Sequence, residues 1–140
     1  MDKTIIARTA AEMEEIGIEL ASHLRDGMVV SLVGPLGAGK TTLVKGLAKG
    51  LLIKEVVVSP SYLLAREYEG QLALHHLDAY RVSSLSELAE VGLDQLLPPE
   101  KGVSVIEWSD KVEGLTDASD VAVTIELRED GVRWVRITQR

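Results

Sequence analysis

The chain has no cysteine and no phenylalanine, and its large aromatic side chains are three tyrosines and two tryptophans. Without cysteine there are no disulfides and no thiolate metal sites. Without phenylalanine, and with so few rings, the core of this 140-residue chain must be aliphatic. No apolar run approaches the length of a membrane span. Met1-Asp2-Lys3-Thr4 lacks a signal-peptide pattern, so a cytoplasmic location is expected. Positive charge is scarce as well: 15 Lys and Arg stand against 22 Asp and Glu, a net charge of −7. That balance argues against non-specific nucleic-acid binding by phosphate neutralisation. It leaves room for a local basic patch or a contact with RNA through a partner protein. There is no internal repeat, low-complexity segment or linker, and the length suits a single domain over residues 1–140.

What the chain does contain is Val29-Val30-Ser31-Leu32-Val33-Gly34-Pro35-Leu36-Gly37-Ala38-Gly39-Lys40-Thr41-Thr42. An apolar run leads into a glycine-rich loop and then into a helical pattern. Gly34 to Thr41 fit G-x-x-x-x-G-K-[ST], the Walker A phosphate loop. Glycines let the backbone curl until successive N–H groups point inward as an anion nest. The helix that follows aims its positive end at the same point. Leu36, Gly37, Ala38, Gly39, Lys40, Thr41 and Thr42 are therefore the expected nucleotide-binding residues. Lys40 is expected to reach the β- and γ-phosphates and the Thr41 hydroxyl to sit on Mg²⁺.

Around this stretch the pattern predicts alternating strands and helices. Thr4 to Ala7 reads as a strand, and Thr9-Ala10-Ala11-Glu12 as a capping box. Met13, Ile16, Leu20 and Leu24 fall on one helical face, with Gly27 as the stop. Met28 to Val33 is apolar but for Ser31, as in a central strand covered on both faces. A helix is expected from about Lys40 to Lys49, stopped at Gly50. Val56-Val57-Val58 reads as a short strand or strand end, and Ser59-Pro60-Ser61-Tyr62 as a loop. Leu63–Tyr68 and Leu72–Leu77 resemble a hairpin or neighbouring strands. Ser84-Leu85-Ser86-Glu87 opens another helix, and Val103 to Ile106 is a buried strand. Glu129-Asp130-Gly131 joins Val121–Leu127 to Val132–Thr138 in a hairpin. The fold class expected is α/β, a P-loop NTPase-like domain with a mixed central sheet flanked by helices and a C-terminal β-hairpin.

A P-loop ATPase also needs a carboxylate at a neighbouring strand end, to hold Mg²⁺ or orient water. Asp78 ends Leu72–Leu77 and Glu107 ends Val103–Ile106, where ligands of open α/β sheets collect. Trp108 has two readings, against a nucleotide or in the core. Ser59 and Ser61 suit either a nucleotide-sensing segment or a simple turn. Arg66 and Arg81 could neutralise phosphate or lie solvated. His75 and His76 point to opposite faces of a strand, so no shared metal site is expected of them. No [NT]-K-x-D segment is present, which favours ATP over GTP. A small-molecule kinase would share the loop, but no arginine-rich lid segment is seen. A nucleotide-regulated binding module is the other alternative.

Gly37-Ala38-Gly39-Lys40-Thr41-Thr42, Ser59-Pro60-Ser61-Tyr62, His76-Leu77-Asp78-Ala79-Tyr80-Arg81 and Ile106-Glu107-Trp108, in this order, resemble the TsaE (YjeE) family. The resemblance spans nearly the whole chain. It implies an ATPase needed for threonylcarbamoyladenosine (t6A) modification of tRNA at A37, with ATP and Mg²⁺ as cofactors. The implied partners are TsaB and TsaD, whose complex makes the transfer, with tRNA reached through that complex. Carried over by position, Lys40 binds phosphates, Thr41 and Glu107 hold Mg²⁺, and Asp78 supports catalysis. Trp108 is implied near the nucleotide, and the turn at Gly131 as a further contact. Two positions depart from the family: Ser61 where Thr is frequent, and Pro35 where many members carry an acid.

Overall fold

The computed structural model describes residues 2–58 and 65–140. The seven strands are β1 (Asp2–Ala7), β2 (Val29–Val33), β3 (Ala65–Tyr68), β4 (Leu74–Asp78), β5 (Val103–Glu107), β6 (Val121–Leu127) and β7 (Arg133–Gln139). They form one sheet in the order β1-β7-β6-β2-β5-β4-β3. Its centre, β6-β2-β5-β4, is parallel; β1, β7 and β3 add antiparallel edges. The mixed sheet is the expected α/β fold, and Arg128, Val132 and Gly131 close the expected hairpin between β6 and β7.

Helices α1 (Ala10–Ala21) and α2 (Lys40–Gly50) share one large aliphatic cluster with one face of the sheet. The short helices α3 (Leu85–Glu90) and α4 (Leu115–Ala118) lie in a second cluster with Val29, Leu77 and Ile106 on the other face. Strands β2, β4 and β5 are covered on both sides, so they are buried along nearly their whole length, including the polar Ser31, His75, His76 and Ser104.

Both expected caps are present. Thr9 Oγ1 accepts from the Glu12 N–H at 3.1 Å and Ser84 Oγ from the Glu87 N–H at 3.2 Å. Three details differ from expectation. Helix α1 ends at Ala21, where the Ser22 hydroxyl turns back onto the Glu19 carbonyl; Leu24 is still buried, but beyond the helix. Gly50 is the last residue of α2 rather than its stop, and Leu52 takes the positive φ of 61°. Gly50 is small for another reason, since a Cβ there would lie 2.5 Å from the Ala21 Cβ. Residues 56–58 form no strand: the Val58 N–H donates to the Tyr68 hydroxyl, not to a ladder. The expected Ser59-Pro60-Ser61-Tyr62 loop lies outside the described residues.

The crossing of α1 and α2 is set by glycines. A Cβ on Gly46 would meet the Glu14 carbonyl oxygen at 1.9 Å, and one on Gly17 the Leu43 carbonyl oxygen at 2.2 Å. Only hydrogen at these positions lets the backbones approach, and the approach places the start of α2 over the ends of β2, β5 and β4.

Candidate active site

Strand β2 ends at Val33 and the chain enters the glycine loop. Gly37 and Gly39 take φ of 76° and 102°, a left-handed conformation that favours glycine. Gly39 is the N-cap of α2 and offers no capping side chain, unlike Thr9 and Ser84 at the starts of α1 and α3. The first N–H groups of α2 are thus left without a side-chain cap, which is the condition for binding an anion there.

Lys40, only 6% exposed, folds back over this loop. Its Nζ donates to the Gly34 carbonyl, reaches the Pro35 carbonyl at 3.4 Å, and sits 3.4 Å from the Trp108 ring centroid. Burial pushes the Lys40 amine below the ordinary lysine range, and Glu107, Asp110 and Asp78 pull it back up. Asp110 had no sequence signal of its own. Trp108 adopts an unusual left-handed backbone, φ 61°, and its N–H donates to the Leu32 carbonyl. That conformation turns the ring out of the strand direction and over Lys40, so Trp108 is half-buried on the cavity wall rather than in the core.

The two acids stand side by side. In the parallel register Asp78 pairs with Glu107, and Glu107 pairs with Leu32, so they form a row across the ends of β4, β5 and β2. Asp78 Oδ1 accepts from the Tyr80 N–H at 2.8 Å, so one oxygen shapes the turn after β4. Glu107 is 4% exposed, and its Oε2 lies 2.5 Å from His76 Nε2. His75 faces the other way, with Nε2 3.0 Å from the Lys101 carbonyl, as the alternation of a strand requires.

Leu36 to Thr42, Asp78, Glu107 and Trp108 all line one cavity of about 410 Å³, closed on a third side by Thr9, Ala10 and Met13 at the start of α1. Gly131 does not line it. Its carbonyl instead receives Arg133 NH1, and Arg133 is the hairpin residue on the wall. Arg133 Nε donates to the Ala38 carbonyl at 3.0 Å and NH2 to the Gly37 carbonyl at 3.1 Å, which ties the hairpin to the glycine loop. Nothing local in the sequence singled out Arg133 or His76, because each meets its partner across distant chain. Arg66 lies on β3 opposite His76 in register, and neither it nor Arg81 lines the cavity.

The donor set fits a hard cation. Thr41, Asp78 and Glu107 offer oxygen on one cavity, and among the described residues no three His, Asp or Glu side chains form a ready-made cage. One hydroxyl and one or two carboxylates, completed by phosphate and water, is the usual provision for Mg²⁺.

Comparison with known proteins bears on the family and the fold. The family model described as "Threonylcarbamoyl adenosine biosynthesis protein TsaE" matches residues 7–135. The tRNA threonylcarbamoyladenosine biosynthesis protein TsaE of Treponema pallidum is 36% identical over 132 residues, covering 94% of this chain and 97% of that protein. Its Streptomyces coelicolor counterpart is 45% identical over 111 residues, covering 75% and 73%. The crystal structure of Bacillus subtilis YdiB superposes with a TM-score of 0.80 at 29% identity, covering 99% of this chain and 86% of that one.

Proposed function

The chain belongs to the TsaE family of threonylcarbamoyl adenosine biosynthesis proteins, and from that premise we propose that it binds and hydrolyses ATP with Mg²⁺ in the t6A modification of tRNA at A37. In this reading it acts in the cytoplasm on the TsaB–TsaD complex and touches tRNA only through that complex. No helix among the described residues is long and apolar enough to cross a membrane.

One observation carries the reading. An uncapped helix start, a buried lysine and two register-matched strand-end carboxylates meet at one cavity. The uncapped N–H groups of α2 and the loop would hold the triphosphate. Lys40 would leave the Gly34 and Pro35 carbonyls for the β- and γ-phosphates, which compensate its desolvation better than neutral carbonyls do. Thr41 and Glu107 would hold Mg²⁺, which neutralises phosphate charge and shields the leaving group when bound. Asp78, anchored through one oxygen to the Tyr80 N–H, would orient the attacking water. Arg133 would keep the loop carbonyls turned away from the phosphates.

Phosphate release measured with the chain alone, with TsaB and TsaD, and with candidate alcohol acceptors tests the reading. ATP-dependent release that rises with the partner pair is expected. Stoichiometric phosphorylation of an acceptor would replace it with a kinase, and nucleotide binding with no release in any arm would replace it with a binding module.

A further inference from the structure

His76 is the least economical residue in the sheet centre. It is fully buried on β4, on the same face as Leu74, Val103 and Val105, where an aliphatic side chain would pack without a polar penalty. Its Nδ1 is the one buried side-chain nitrogen or oxygen among the described residues with no hydrogen-bond partner. Its Nε2 lies 2.5 Å from Glu107 Oε2. A group that leaves one polar atom unsatisfied is not placed for stability, so the bond it does make carries the reason for its presence.

The register explains how that bond is aimed. Asp78 stands opposite Glu107, and His76 stands opposite Val105, one same-face step deeper into the sheet. From there the imidazole rises toward the cavity floor and meets the carboxylate from below. With Glu107 ionised, the shared hydrogen belongs to Nε2, so His76 donates. The rotamer of Glu107 is then set by a group on another strand.

We propose that His76 is a positioning residue: by donating Nε2–H to one oxygen of Glu107 it pre-sets the carboxylate for Mg²⁺, without touching metal or nucleotide. The inference rests on the reading that Glu107 holds Mg²⁺. Outer hydrogen bonds of this kind orient ligands in metal sites generally.

The test is a Mg²⁺ titration of ATP affinity on the full chain, paired with ATP affinity in EDTA and with thermal unfolding. His76→Leu removes the donor but fills the space. It should raise the Mg²⁺ midpoint about 10-fold, while EDTA affinity stays within about twofold and the unfolding temperature does not fall. His76→Gln places its amide nitrogen where Nε2 stood and should stay within about threefold of wild type; His76→Asn is too short to reach and should behave like the leucine variant. If His76→Leu does not fold, the Gln and Asn pair decides. A wild-type Mg²⁺ midpoint in the Leu or Asn variant overturns the role, as does an equal loss with and without metal. Glu107→Gln separates the two ideas: a shift there without one at His76 refutes the positioning, whereas no shift at Glu107 removes the metal assignment and the positioning with it.

Discussion

Lys40 shows most plainly how a residue suited to a binding site works against folding stability. Burial lowers the affinity of its amine for a proton in the folded chain, so the unfolded chain binds that proton more tightly. Stability therefore rises with pH between the lowered value and the ordinary lysine value, and below both the penalty is constant. Lys40→Met should melt no lower than wild type at pH 7 when no nucleotide is present. Any advantage should shrink as pH climbs into the alkaline window, a trend that differential scanning calorimetry across pH would read. The same variant should lose about 1.5–3 kcal/mol of ATP binding, the range for a hydrogen bond to a charged group. Trp108 offers an optical counterpart. Its ring lies 3.4 Å from Lys40 Nζ, and moving that ammonium should change its emission. Trp134 lies outside the cavity against Arg128, so Trp134→Tyr should keep the nucleotide response. A silent Trp108 would mean that Lys40 stays on the ring. At this scale the sequence exposed Lys40, Thr41, Asp78 and Glu107 because each sits in a local pattern, a loop or a strand end. It did not expose Arg133 or His76, whose partners lie 95 and 31 residues away.

At the scale of elements, the α1–α2 crossing decides where the glycine loop lies. Gly46→Ala and Gly17→Ala each drive a methyl group into carbonyl backbone of the facing helix, which cannot rotate aside. Overpacking of this kind costs about 1–3 kcal/mol and sometimes more. Each substitution should lower the urea midpoint accordingly, and each should also weaken ATP binding, because α2 moves with its N-terminus. By contrast Gly114→Ala should show only the modest cost of a positive φ, since a Cβ there meets nothing within 4 Å. Equal effects at all three positions would mean that helix separation is not the cause. The starts of α1 and α3 were legible in the sequence because Thr9 and Ser84 cap through bonds three residues long, whereas α4, which starts on Gly114 without a side-chain cap, was not. The end of α1 and the role of Gly50 were not, since the first is a local turn without glycine and the second is a contact between helices.

For the whole molecule the question is how the proposed hydrolysis would serve the proposed TsaB–TsaD partner. Asp78→Asn keeps an oxygen for the Tyr80 N–H, so the turn after β4 should survive, and it removes the charge proposed to orient water. ATP binding should stay within about tenfold, roughly 1.4 kcal/mol. Hydrolysis should fall on the order of 100-fold, the low end for acid–base effects. Reconstituted tRNA modification should then stall after the first rounds while docking to TsaB–TsaD persists. Full multiple-turnover modification by a variant that has lost hydrolysis would refute the role, and normal hydrolysis would refute the residue. The sequence by itself determined the glycine-rich loop, the aliphatic core, the alternation of strands and helices, and the two strand-end acids, because each is written in composition or in short stretches of chain read one at a time. Only the tertiary structure decided that β2 runs between β5 and β6, which puts Leu32, Glu107 and Asp78 in one row. It also decided that the hairpin reaches the loop through Arg133, and that His76 supports Glu107. Strand order and register are set by which faces can be buried together, and that is a property of the assembled sheet that no single segment contains.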